Sequence, residues 1–170
     1  MFTIYAKEKP ENKLLKRMRI LSEIRTSLES DPIAKEICRE NDIGEWFSKS
    51  VPISFEDLDV AAKTVNGNII LSKKLLSKPH EIRMRYVIHE FTHATQHVKN
   101  FGNKNNKSDK SQDYLDRDNE KDAFKKQIKY DAEERGKENV EDYVDGLLSH
   151  HDVPKSERKD KKDELMMEVE

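Results

Sequence analysis

The sequence predicts an α+β fold, mostly helical, with a small antiparallel sheet packed on one central helix, and three observations lead there. The run EIRMRYVIHEFTHATQHVKN extends from Glu81 to Asn100 without Gly or Pro, as a long central helix requires. Between Val51 and Leu71 the texture changes to short β-prone runs around Asn66-Gly67, the signature of a tight hairpin. On both sides of these segments the remaining apolar residues recur at helical spacing.

Taken in order, Leu14, Leu15, Met18, Leu21, Ile24 and Leu28 mark a first amphipathic helix from Glu11 to Leu28, with Pro10 just before it. Asp31 can cap, and Pro32 open, a short second helix. The segment ending in Trp46 and Phe47 should pack against something apolar. Ile53 and Phe55 alternate with polar residues, and the hairpin leads into a strand from Asn68 to Leu71. A short connection follows through Lys73 to Lys78, after which Pro79 suits the first position of the central helix. Residues 101–113, FGNKNNKSDKSQD, are polar and without periodicity, and read as a mobile loop that could act as a lid. Ala123, Phe124 and Ile128 lie on one stripe of a further helix. A last helix, roughly Val140 to Leu148, should bury Tyr143, Val144, Leu147 and Leu148. We expect one domain over 1–152 and a charged, flexible tail over 153–170.

The composition narrows the function classes. Thirty-two basic residues against 34 acidic ones leave a net charge of -2, which gives no electrostatic reason to favour nucleic acid or an anionic membrane as partner. No apolar run has the length of a leader or a membrane span. The single cysteine, Cys38, excludes a disulfide framework and a cysteine-based zinc site, and its helical setting EICRE suggests a core residue. A reducing compartment, the cytoplasm, is the expected location.

The chemistry concentrates in HEFTH, His89 to His93. Residues four apart on a helix project from nearly the same face, so His89 and His93 can bring two imidazole nitrogens to one ion. Glu90 can then reach a water in an open coordination position and accept its proton. For the third ligand the candidate is Glu120, one helical turn before Ala123 and Phe124 and so on the stripe that faces the core. His97, Asp113, Asp116 and Asp118 compete with it. His97 is disfavoured because its Cα lies about 12 Å from that of His89 at about 1.5 Å of rise per residue. For the oxyanion of acyl transfer, Tyr114 is the first candidate donor, with Tyr130, His97, His150 and His151 behind it. Gln127 faces the site helix in either a structural or a supporting role. The pair His150-His151 is better explained by a helix C-terminus than by a second metal site.

HEFTH on a long helix, preceded by a strand such as NIILS and followed by a helix containing E-x-x-A-F, resembles the minimal gluzincins, short metallopeptidases of the ImmA/IrrE-like type common in phages, mobile elements and bacteria. The resemblance extends over about 53–128 and implies a zincin-like domain, zinc held by His89, His93 and Glu120, and Glu90 as general base and acid. Larger gluzincins often carry an Asp after the glutamate ligand, where this chain has Ala123 and Phe124, so support for the histidines must come from elsewhere; Asp116 and Asp118 are candidates. The expected activity is zinc-dependent hydrolysis of peptide bonds in a protein or peptide substrate. The alternatives are a non-catalytic metal-binding interaction protein and a SprT-like protease acting on DNA-bound proteins.

Overall fold

The computed structural model describes residues 12–101 and 113–169. Helix α1 spans Lys13–Ser30, capped by the Asn12 side chain, which accepts from the Leu14 amide at 2.9 Å. Its buried stripe is Ile20, Ile24 and Leu28. The expected stripe began too early: Leu14, Leu15 and Met18 are 60%, 57% and 58% exposed, because only the later turns of α1 lie against the body. Helix α2 (Pro32–Glu40) starts as predicted, with Asp31 Oδ1 accepting from the amides of Ile33 and Ala34 at 2.8 and 3.1 Å. A single turn, α3 (Phe47–Ser50), buries Phe47 and stacks it on Phe91, while Trp46 stays 63% exposed.

Strands β1 (Ile53–Glu56), β2 (Ala62–Val65) and β3 (Asn68–Ser72) form a sheet in the order β1-β3-β2. The hairpin is where Asn66-Gly67 places it: both residues have positive φ, 51° and 77°, and Val65 pairs with Asn68. The sheet is mixed, however, not antiparallel, because β1 runs parallel to β3, with Ile53 opposite Ile69 and Phe55 opposite Leu71. Alternation tells which side chains face inward but not the direction of the neighbouring strand. The face carrying Phe55, Ile69 and Leu71 packs toward α4 (His80–Lys99). Pro79 sits one position earlier than expected, as the N-cap, and the helix closes on Asn100.

After the short 3-10 turns Lys73–Ser77 and Tyr114–Asp116 come α5 (Asp118–Arg135) and α6 (Lys137–His150), separated by Gly136 at φ 85°. Most of the segment read as a mobile loop, 102–112, lies outside the described residues. Two apolar clusters result. The first joins α1, α2 and the sheet to Met84, Val87, Ile88, Phe91 and Ala94 of α4. The second gathers Leu115, Phe124, Ile128, Val140, Val144, Leu148 and Leu165. Among the described residues no helix is long and apolar enough to cross a membrane.

The charged C-terminal segment differs from the flexible tail expected of it. Residues Arg158–Leu165 form helix α7, with Leu165 fully buried in the second cluster. Its charges meet complementary ones: Lys162 pairs with Asp145 at 2.9 Å, Glu164 with Lys121 at 3.0 Å, and Lys161 with Asp116. A run of like-looking charges carries no sequence mark of such partners, which lie on other elements. Beyond α7, Glu168 reaches Lys126, which is 1% exposed and also binds Glu36 and Glu40, at 2.9, 2.6 and 2.9 Å respectively.

This cluster predicts an acid-sensitive fold. Burial alone would raise the Glu36 carboxyl, but hydrogen bonds from Lys126 and Lys129 bring it down to about 2. A carboxylate whose folded value is depressed contributes stability that is complete above its unfolded value near pH 4.5, and lost as pH falls toward about 2. Denaturant midpoints measured between about pH 6 and 2 are expected to fall through that window.

Candidate metal centre

Helix α4 is buried along most of its length, and its apolar residues anchor it while HEFTH turns toward α5. The i, i+4 spacing brings His89 Nε2 and His93 Nε2 to 3.2 Å from each other. From the first turn of α5, Glu120 Oε2 lies 3.6 Å from His89 Nε2 and 3.3 Å from His93 Nε2. A tetrahedral ion with bonds of about 2.0–2.1 Å needs its donor atoms about 3.3–3.4 Å apart. The observed triangle has that size. The three side chains are only 8%, 16% and 12% exposed.

The polar atoms around this triangle fit a cation. Glu120 Oε2 is buried and has no hydrogen-bond partner among the described residues. An unsatisfied buried carboxylate oxygen is costly, and an ion at the common point of the three lone pairs would satisfy it. Burial works against ionisation of Glu120, but the neighbouring His89, His93 and Tyr114 outweigh it and hold the carboxyl well below its usual range. Burial likewise opposes the charged form of His93, yet Glu120 and Glu90 raise it overall. His89, His93 and Glu120 could therefore hold a metal ion.

Glu90, 7% exposed, sits beside this point. Its charge registers at both His93 and Tyr114. Thr64 of β2 fixes it: the hydroxyl lies 2.8 Å from Glu90 Oε2 and 2.9 Å from the Glu90 carbonyl oxygen, and donates its one hydrogen to one of them at a time. Tyr114 lies close enough to Glu120 for the two to act on each other, and stacks on His151, with ring centroids 5.0 Å apart and an interplanar angle of 11°. Burial, then Glu120 and Glu90, push the Tyr114 hydroxyl upward, so it stays a donor at neutral pH.

Comparison of the chain with protein-family models, curated proteins and solved structures gives no match. The site is therefore read from its own geometry. Of the sequence candidates, His89, His93, Glu120, Glu90 and Tyr114 come together. The others serve elsewhere. His97 packs beside Gly67 and Phe101, Asp116 pairs with Lys161, and the Asp118 side chain is fully exposed. Tyr130 belongs to the first apolar cluster, and Gln127 donates to the Tyr143 hydroxyl at 2.5 Å. The support expected from Asp116 or Asp118 comes instead from Gln96, whose side chain meets His93 Nδ1 at 3.1 Å and Asp122 Oδ2 at 3.2 Å. Phe124 fills the space beside His89, ring centroids 4.5 Å apart. Thr64, Gln96 and Asp122 were missed. Only the i, i+3 step from His93 to Gln96 was visible in the sequence as a signal.

Proposed function

We propose that this protein is a zinc-dependent metallopeptidase of the minimal gluzincin kind. The observation that carries the proposal is a buried glutamate, Glu90, held beside a triangle of two imidazoles and one carboxylate. Two histidines and a glutamate are a donor set that catalytic zinc sites use, and three protein ligands leave a fourth position for water. A metal-carrying interaction module, the alternative reading, has no use for a glutamate kept at that position.

Bound there, zinc would supply an acidified water and a Lewis acid for the scissile carbonyl. Every other task falls to the chain. Glu90 takes the proton of the attacking water and returns it to the leaving amine, with Thr64 keeping the carboxylate aimed. Tyr114, a neutral donor against Glu120, is placed to turn its hydroxyl toward the developing oxyanion. The edge strand β2 offers the substrate a track. Because Val65 pairs with Asn68 next to the turn, the backbone groups of Ala62 and Thr64 point away from β3, toward the edge that no strand among the described residues occupies. An extended peptide pairing there would pass beside Glu90, since Thr64 touches it. The substrate class is thus an extended or unfolded polypeptide segment, and the place of action the cytoplasm, in keeping with the buried, free Cys38.

Elemental analysis of purified protein is expected to find about one zinc per chain, lost on His89→Ala; less than about half an equivalent, unchanged by that substitution, would sink the proposal.

A further inference from the structure

His93 needs an unprotonated Nε2 to meet an ion, and a neutral imidazole carries its one proton on either nitrogen. Which one is decided by the partner of the other nitrogen. Here that partner is Gln96, 3.1 Å from His93 Nδ1, and Gln96 in turn reaches Asp122 Oδ2 at 3.2 Å. The chemistry of the three groups allows one arrangement. A carboxylate only accepts, so the Gln96 amide must turn its NH2 to Asp122. Its carbonyl oxygen then faces His93 and accepts, so His93 Nδ1 must carry the proton. The lone pair is left on Nε2, the atom 3.3 Å from Glu120 Oε2.

We propose that Asp122 sets the tautomer of His93 through Gln96, making both of them positioning residues of the metal centre. The relay rests on the metal reading given above. Its two supports come from the elements that carry the ligands: Gln96 is one turn beyond His93 on α4, and Asp122 two residues beyond Glu120 on α5. The same relay therefore ties the two helices together beside the ion. His89 is treated differently. Its Nδ1 is buried and has no partner among the described residues, so nothing comparable selects its tautomer. Of the two imidazoles, His93 is the one prepared in advance.

The test uses the full-length protein and zinc. Gln96→Leu and Asp122→Ala are each expected to weaken zinc binding about 10–100-fold, while the unfolding midpoint of the metal-free protein stays within about 4 °C of wild type. The two effects should not add, since either change breaks the same chain. The exchanged pair, Gln96→Glu with Asp122→Asn, keeps an acceptor facing His93 and a donor behind it, and is expected to recover most of the lost affinity. Imidazole nitrogen NMR of the metal-free protein at alkaline pH should place the His93 proton on Nδ1, and Gln96→Leu should release that preference. Should Gln96→Leu fail to fold, Asp122→Ala, one bond further from the ring, gives the same readings. Wild-type zinc affinity and an unchanged His93 tautomer in both variants, with zinc still lost in His93→Ala, overturn the relay and leave the metal centre standing. Wild-type protein that binds no zinc overturns the metal reading and the relay with it.

Discussion

Glu90→Gln is expected to keep about one zinc per chain and to lower peptide hydrolysis by about 10²–10⁴-fold, the usual contribution of a positioned general base. The amide is nearly the same shape as the carboxylate and can still meet the Thr64 hydroxyl, which lies 2.8 Å from Glu90 Oε2. What it loses is the ability to take a proton. The loss should fall on kcat and on kcat/KM together, because ground-state binding along β2 is untouched. Thr64→Val offers a graded comparison: it removes the hydroxyl that aims Glu90, and should reduce turnover less than Glu90→Gln does. Turnover by Glu90→Gln equal to wild type would remove Glu90 from the mechanism.

Lys126→Met is expected to destabilise the fold by on the order of 3 kcal/mol, the second large effect. The lysine is 1% exposed and holds Glu36, Glu40 and Glu168 at hydrogen-bond distance. Its removal leaves Glu40 and Glu168 without the lysine they share and Glu36 with Lys129 alone, at 2.8 Å, and releases the contact that fastens Glu168 to α5. The same substitution should weaken the acid dependence between about pH 4.5 and 2, since only Lys129 would then remain to offset burial at Glu36. Denaturant titrations of both proteins at neutral and acid pH check the two statements; equal midpoints at neutral pH would show that the cluster contributes nothing net.

Much of the site was legible in the sequence because its parts obey local rules. HEFTH lies in an unbroken 3.6-residue pattern, so the relation of His89, Glu90 and His93 follows from helix geometry alone. Glu120 was reachable for a similar reason: it precedes Ala123 and Phe124 by one turn, and those two are buried. What was not legible depends on contacts between distant segments. The 26-residue step from Gln96 to Asp122 joins two polar side chains with no periodic signature. The parallel pairing of β1 with β3 is invisible to alternation. Helix α7 was hidden because a single apolar residue, Leu165, anchors it and charges on α5, α6 and the turn before α5 do the rest. The first turns of α1 erred in the other direction, showing apolar spacing without burial.

His93 stands on α4, which supplies five residues of the first apolar cluster, while Glu120 stands one turn before Phe124 of the second. An ion shared between them would be a cross-link as well as a reagent. By closing the stretch of chain between its ligands it would take freedom away from the unfolded ensemble, an effect on the order of 3 kcal/mol in the chain-entropy account of such closures. Chelation would then do more than silence the chemistry: it would remove that constraint and leave α5 held to the preceding elements by contacts such as Lys126 with Glu36 and Arg85 with Asp131.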